Sequence, residues 1–322
     1  MIIPVAGVGS RLRPHTYSTS KVLLHVAGRP ILSHVLEPIM KLNPEEIIFV
    51  IGFKGEDVQK YIQSRYSFKA RFVWQEQLLG LGYAMSLALK EMADGPLLIL
   101  LGDTIVEIDL EKFVAAGDNV LALKGVDDPH RFGIAEIKDG MVTALEEKPA
   151  DPKTDLAIVG LYYFKDSRPL RTALEAHMAS GKTTRGEIQF TDALQGMIRN
   201  GTKFVPFEVG EWLDCGKKET LLSTNRHLLT TKQQTAKIDG SVVIPPVFIA
   251  EGATVKNSVL GPYVSVSEGA VVENSVISDS IVGPHAKVIQ AVLDQSLVGY
   301  HVTINGSPKR LNVGDSSEIV IT

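Results

Sequence analysis

The sequence predicts an α/β domain built on a mostly parallel sheet, followed by a β-solenoid. Three observations carry that prediction. Over residues 1–231, short apolar runs alternate with amphipathic stretches, the pattern of strands followed by crossover helices. After about residue 233 the helical pattern stops, and aliphatic residues recur at steps of five or six positions. The chain has 322 residues, which at roughly 100–200 residues per domain implies two domains, placed at 1–232 and 233–322.

Taken in order, residues 1–6 form a first strand that runs into Gly7-Val8-Gly9. Residues 31–42 carry Ile31, Leu32, Val35, Leu36, Ile39 and Leu42 at helical spacing. Residues 46–52 and 70–74 read as strands, 57–64 and 82–92 as helices, and LLILL at 97–101 as a strand buried on both faces. In the second domain the aliphatic column comprises Ile238, Ile244, Ile249, Val255, Leu260, Val266, Val272, Ile277, Val282, Val288, Leu293, Val298 and Ile304. Helices do not give that period. Short strands wound three per turn do, and the column makes about four coils. An irregular β-sandwich is the alternative, against which the unbroken run of hits argues. Residues 312–322, with the apolar run Ile319-Val320-Ile321, are expected to cap the solenoid or pack on a neighbouring copy.

Composition narrows the function. Hydrophobic residues at 44%, charged residues at 22% and a mean hydropathy of +0.10 are ordinary for a chain that folds throughout. A net charge of −4 supplies no basic field for nucleic acid, which is excluded as a partner. The single cysteine, Cys215, can form neither an internal disulfide nor a cysteine zinc site, so a reducing compartment, the cytoplasm, is expected. No basic leader with a cleavage site follows Met1, and no stretch of ~18 apolar residues occurs, so neither secretion nor membrane spanning is expected.

The chemistry-bearing residues begin at the glycine loop. In Pro4-Val5-Ala6-Gly7-Val8-Gly9-Ser10-Arg11-Leu12, two glycines let backbone N–H groups turn toward an anion. Leu12 stands where a dinucleotide fingerprint needs glycine, and Gly-Lys-Ser/Thr is absent, so both common nucleotide motifs fail. What remains is Arg11 and Lys21 beside a backbone nest, two cations suited to a triphosphate; a plain turn is the alternative. Asp103 follows a buried strand and Gly102, which places it at the carboxyl end of a parallel strand, where open α/β sheets bind ligands. A turn or helix-cap role is its alternative. The Gln75 amide can pair with the N3–H and a carbonyl of uracil or thymine, or sit on the surface. Lys148 precedes Pro149, which biases it toward extended backbone; Glu146, Glu147 and Lys148 could otherwise be a solvated charge run. His15, His25, His34, His130 and Cys215 show no triad or metal spacing and are read as structural.

PVAGVGSRLRPHTYSTSK resembles the signature of sugar-phosphate nucleotidyltransferases, of the form A-G-G-x-G-T-R-L-x-P-x-T followed by lysine. Later landmarks fall in the family's order: Gly52-Phe53-Lys54-Gly55, Gln75 with Gly80-Leu81-Gly82, Leu101-Gly102-Asp103, Arg131-Phe132-Gly133, Glu146-Glu147-Lys148-Pro149, Gly186-Glu187-Ile188-Gln189-Phe190-Thr191-Asp192 and Trp212-Leu213-Asp214-Cys215-Gly216. Ala6 replaces the first glycine of the usual pair, as in bacterial UDP-glucose pyrophosphorylases. His25 stands for a common proline and Arg29 for a lysine, and none of these removes a phosphate ligand. IAEGAT at 249 and VSEGAV at 266 resemble the hexad of left-handed hexapeptide-repeat solenoids. The resemblance thus implies a Rossmann-like mostly parallel nucleotidyltransferase domain and a left-handed parallel β-helix.

It also implies roles. Arg11, Lys21 and Lys148 would be catalytic; Ala6, Gly7, Gly9, Ser10, Gln75 and Gly80 would hold the nucleotide; Gly133, Glu147, Ile158 and Tyr162 the sugar; Asp103 and Asp214 a Mg²⁺ ion. The reaction implied joins UTP or dTTP to a hexose 1-phosphate, glucose 1-phosphate foremost, with release of pyrophosphate. The Gly80-Leu81-Gly82 loop resembles that of pyrimidine-using members. Gln189 and the PVAG opening lean toward uridylyl transfer, and Gln75-Glu76 toward long thymidylyltransferases. The solenoid is expected to be structural and the molecule a homo-oligomer. Two alternatives are an acyltransferase on the solenoid and a silent regulatory subunit; the latter would be expected to have lost Arg11, Lys21 or an aspartate, and all are present.

Overall fold

A computed structural model of the chain describes residues 1–231, 238 and 240–307. It divides into two compact units, one of Met1–Leu24 with Arg29–Thr224, the other of His25–Gly28 with the chain from Asn225 onward. The expected cap at 312–322 lies outside the described residues.

Up to residue 231 the strands are β1 (Ile2–Pro4), β2 (His25–Val26), β3 (Arg29–Pro30), β4 (Ile47–Ile51), β5 (Ala70–Trp74), β6 (Leu97–Leu100), β7 (Thr104–Glu107), β8 (Asn119–Gly125), β9 (Gly133–Lys138), β10 (Met141–Glu147), β11 (Leu156–Phe164), β12 (Val205–Glu208) and β13 (Glu211–Asp214). The helices are α1 (Ile31–Ile39), α2 (Gly55–Arg65), α3 (Leu81–Lys90), α4 (Leu110–Ala115), α5 (Arg168–Ala179), α6 (Phe190–Arg199) and α7 (Lys218–Thr231). β5, β4, β1 and β6 lie side by side and parallel, with Ile2 opposite both Ile48 and Ile99. Such strands are covered on both faces, which is why IIFVI and LLIL are apolar without alternation and wholly buried. Beyond β6 the sheet turns antiparallel, with β11 pairing β6, β8 and β9 and β10 pairing β9, while β12 runs parallel beside β8. That second half places Gly133, at the start of β9, opposite Glu147, at the end of β10.

The helical pattern over 31–42 divides in two. α1 stops at Ile39, and Met40–Leu42 tighten into a 3₁₀ turn closed by Asn43 at φ 45°. Pro38 lies inside α1 and has no N–H to give to the His34 carbonyl one turn back.

Among the described residues of the second unit, three parallel four-stranded sheets form the faces of a β-helix of four coils. Val242, Val259, Val276 and Val292 stack in register on one face, with Val243, Leu260, Ile277 and Leu293 beside them. The second set points inward, and with Val255, Val266, Val272, Val282, Val288 and Val298 it builds the solenoid core. One expected member is corrected: Ile244 is 45% exposed, and Val243 takes its place. Register with Leu260 turns Val243 in, and the pleat then turns Ile244 out. Serines satisfy the buried turns between faces. Ser258 Oγ donates to the Lys256 carbonyl at 2.7 Å and accepts from the Ser275 N–H of the next coil at 3.1 Å; Ser275 repeats this with Glu273 and Ala291. Among the described residues, no helix is long and apolar enough to cross a membrane.

Inward and outward positions of one strand pair should differ sharply in cost. Ile277 is fully buried, whereas Val292 is 81% exposed. Ile277→Ala is expected to destabilise by about 2–5 kcal/mol, and Val292→Ala by no more than about 0.5 kcal/mol. Denaturant unfolding followed by far-UV circular dichroism checks both, and equal costs would contradict the assignment of faces.

Candidate active site

The site gathers at the carboxyl ends of β1 and β6. Gly102 donates its N–H to the Pro4 carbonyl at 3.2 Å, and a Cβ on Gly102 would come within 2.4 Å of Val5. The missing side chain lets the two strand ends close up, so Asp103 emerges beside the glycine loop. In that loop Gly9 adopts φ 67°, and a Cβ there would meet Thr16 and the Lys21 stem, each at 3.0 Å. Thr16 Oγ1 donates to the Gly9 carbonyl at 2.8 Å and fixes the turn. Gly7 has no protein atom within 4 Å of where its Cβ would lie. Ala6 is buried against Gly52, and Ser10 begins the 3₁₀ turn that carries the exposed Arg11.

Lys21 is buried, and its Nζ donates to Asp103 Oδ2. Burial pushes the Asp103 carboxyl up, but the charge and hydrogen bond of Lys21, a backbone N–H and the nearby Arg11 outweigh it, holding the group below the usual carboxylate range. Asp214 reaches the same place from β13. It lies opposite Thr104 in the β7–β13 pair, and the next residue's N–H, that of Cys215, donates to the Asp103 carbonyl at 3.3 Å. The backbones that carry these two aspartates, distant in sequence, are therefore neighbours at the end of one antiparallel ladder. Arg131 Nη2 stands 3.6 Å from Asp214 Oδ2, a partner that the sequence reading did not assign to the site.

These two carboxylates suit a hard divalent cation. Among the described residues no group of three or more His, Cys, Asp or Glu could hold a metal unaided, so a cation here would complete its shell with substrate oxygens and water, as Mg²⁺ usually does. The adjacent Cys215 thiol is no competitor: it is buried, and burial pushes it up to about 12.

A second cluster forms where β9, β10, β11 and α6 meet. A Cβ on Gly133 would lie 3.0 Å from Glu147 Oε2, 3.0 Å from Thr191 Oγ1 and 3.2 Å from Ile158. Thr191 Oγ1 donates to Glu147 Oε2 at 2.7 Å, and Lys148 Nζ sits 3.2 Å from Glu147 Oε1. Tyr162 is buried alongside, its hydroxyl pushed up by burial and by the charge of Glu147. Glu147 and Lys148 are thus part of a folded cluster and not a solvated run. Lys148 also corrects an expectation: its φ is 46°, in the left-handed region and not extended. Two hydrogen bonds outweigh the influence of Pro149, from its N–H to the Phe132 carbonyl and from Arg185 Nη2 to its own carbonyl, both at 2.9 Å.

A third group lies at the end of β5. Gln75 is buried, and its Nε2 lies 3.5 Å from the Gly80 carbonyl. Gly80 has φ 104°, and a Cβ on it would come within 2.7 Å of the Ile188 carbonyl. Gln189 turns away into its own loop, donating to the Thr184 carbonyl at 3.3 Å and to Glu187 at 3.1 Å.

Residues 1–231 match the family described as nucleotidyl transferase, and residues 224–308 match a GlmU-like C-terminal hexapeptide domain. The chain belongs to the nucleotidyl transferase family. A glucose-1-phosphate thymidylyltransferase of Streptomyces griseus is 32% identical to it over 321 residues, 95% of this chain and 87% of that protein. A bifunctional protein GlmU of Methanococcus maripaludis is 33% identical over 259 residues, 79% of this chain and 61% of that one. The structure of UDP-glucose pyrophosphorylase complexed with UDP-glucose matches with a TM-score of 0.64, covering 71% of this chain and 98% of that chain; at 20% identity this is a likeness of fold. In this nucleotidyl transferase, then, the glycine loop, the two aspartates and the Gly133–Glu147–Lys148 cluster all lie in the matched region.

The Lys21–Asp103 pair has a pH signature. The folded carboxyl lies below its ordinary value, so the pair's contribution to stability is present above the unfolded value, about 3.9, and is lost as pH falls through the folded one. The stability gap between the unaltered chain and Asp103→Asn is expected to stay flat from about pH 7 to 5 and to narrow below that. Urea unfolding at stepped pH measures it, and a gap that widens toward acid would contradict the pairing.

Proposed function

We propose that this nucleotidyl transferase joins a hexose 1-phosphate to the nucleotidyl group of UTP or dTTP and releases pyrophosphate, with glucose 1-phosphate as the first sugar to test. The observation that supports this most directly is the cluster of Gly133, Glu147 and Lys148, which pairs a fixed carboxylate with a lysine ammonium. That is the chemistry to hold sugar hydroxyls and a sugar phosphate together. The Streptomyces griseus relative carries a name in keeping with it.

In the proposed reaction an oxygen of the sugar phosphate attacks the α-phosphorus of the triphosphate. A new P–O bond forms as the bond to the β-phosphate's bridging oxygen breaks, and pyrophosphate leaves with that electron pair. No proton has to be moved by a side chain, so catalysis rests on alignment and charge neutralisation. The loop at Ala6, Gly7, Gly9 and Ser10 would present backbone N–H groups to the triphosphate, with Arg11 and Lys21 balancing its charge. Lys148 would hold the sugar phosphate, and Glu147 would accept from sugar hydroxyls over Gly133, Ile158 and Tyr162. A divalent cation such as Mg²⁺, held by Asp103 and Asp214, would supply further neutralisation of phosphate charge. Residues 1–232 would form the transferase domain and 233–322 a structural solenoid serving homo-oligomer assembly. A reducing, cytoplasmic setting fits the lone buried thiol of Cys215.

Asp103→Asn and Asp214→Asn are each expected to lower turnover by about 100-fold or more at limiting Mg²⁺, while circular dichroism stays unchanged. Near-normal turnover of both would refute the metal assignment. For the base, an unmade hydrogen bond costs about 1–3 kcal/mol. Gln75→Ala is therefore expected to lower kcat/KM for UTP and dTTP by roughly 10- to 100-fold and to narrow the gap to CTP and GTP. Pyrophosphate release with all five triphosphates and glucose 1-phosphate measures this, and a preference of the unaltered enzyme for ATP or GTP would overturn the pyrimidine reading.

A further inference from the structure

The base-side loop and the sugar-side cluster come from different parts of the chain, yet one segment is bonded to both. At the base side, Ile188 N–H donates to the Leu79 carbonyl at 2.7 Å, and Gly82 N–H donates to the Ile188 carbonyl at 2.8 Å. These reciprocal bonds dock residue 188 on the loop that carries Gly80 and opens α3. Neither glycine tolerates a side chain there: a Cβ on Gly80 would lie 2.7 Å, and one on Gly82 2.8 Å, from the same Ile188 carbonyl. At the sugar side, Arg185 Nη2 holds the Lys148 carbonyl at 2.9 Å, and Thr191 Oγ1 holds Glu147 Oε2 at 2.7 Å.

Between these attachments the segment is braced against itself. Thr184 and Glu187 exchange backbone hydrogen bonds at 2.9 and 3.2 Å, and Thr184 Oγ1 donates to Asp192 Oδ2 at 2.6 Å. The buried Gln189 side chain ties Thr184 and Glu187 together from within. Arg185 itself has φ 54°, so two non-glycine residues in the left-handed region, Arg185 and Lys148, are linked by one hydrogen bond. Such conformations persist only where the surroundings hold them. A segment fastened at both ends and braced within passes a displacement along instead of absorbing it.

We propose that residues 184–192 act as a strap that sets the base-side loop and the Glu147–Lys148 pair at one fixed spacing, with Arg185 as a positioning residue for Lys148. The strap rests on the substrate reading above, in which those two groups hold the two halves of the reaction. In-line transfer needs the sugar phosphate and the α-phosphorus held at one separation, and displacement of either by a fraction of an ångström is costly. A strap that spans both half-sites meets that need without either substrate's help.

The test is whether damage at one attachment is felt at the other. Gly82→Ala pushes a methyl against the Ile188 carbonyl and touches nothing on the sugar side. It is expected to raise the KM for glucose 1-phosphate by about 5-fold, over and above any change in the KM for the triphosphate. In an Arg185→Ala background, where the Lys148 attachment is already cut, the same change is expected to move that KM by less than about 2-fold. Arg185→Lys, which keeps a donor, is expected to restore most of the effect of Gly82→Ala that Arg185→Ala removes. Melting temperatures of all variants exclude loss of fold. Additive effects of the two substitutions, or a sugar-phosphate KM indifferent to Gly82→Ala in a working enzyme, would overturn the strap alone. No pyrophosphate release by the unaltered protein with any triphosphate and sugar phosphate would overturn the substrate reading and the strap with it.

Discussion

A lysine ammonium buried at the end of a parallel sheet must be paired, and the pairing of Lys21 with Asp103 is the constraint around which the rest of the site is arranged. The cost of burying the ammonium is recovered only if the geometry is held, and several features hold it. Thr16 fixes the loop that packs on the Lys21 stem, Gly102 admits Val5 so that β1 and β6 end side by side, and the Cys215 N–H grips the Asp103 backbone. The result is a carboxylate kept ionised beside Lys21 and Arg11.

Much of the arrangement depends on side chains that are missing. Gly9, Gly80, Gly82, Gly102 and Gly133 each stand where a Cβ would meet another part of the site within about 3 Å. At Gly80 the reason is doubled, since its φ of 104° is also one that L-residues avoid. Gly80 and Gly82 bring backbone against the Ile188 carbonyl, whereas Gly9, Gly102 and Gly133 make room for neighbouring side chains. The braced segment at 184–192 is built on that closeness, because its carbonyl at Ile188 occupies the room that two glycines leave.

The two units are stabilised differently. The first buries apolar strands between helices. The second is a stack in which each coil's backbone bonds to the next, an aliphatic column fills the middle and serine hydroxyls close the corners. A substitution in such a stack is felt chiefly by neighbouring coils.

The sequence by itself determined the alternation of strands and helices up to residues 97–101, the solenoid that follows the first domain, and the glycine loop after the first strand, because hydrophobic period and glycine placement are local properties. It located Asp103 at a strand end because β6 is an unbroken apolar run. Local reasoning failed where a distant partner prevailed. Lys148 is left-handed because Phe132 and Arg185 hold it so, against the bias from Pro149, and Ile244 faces out because Leu260 of the next coil sets the register. Only the tertiary structure decided that Asp214 lies across from Thr104 with the Cys215 N–H on the Asp103 carbonyl, that Arg131 faces Asp214, and that Thr191 and Arg185 brace Glu147 and Lys148. Those facts depend on which strands pair and which loops meet, and the physical reason they escape the sequence is that a hydrogen bond across a fold leaves no periodic mark on the residues that make it.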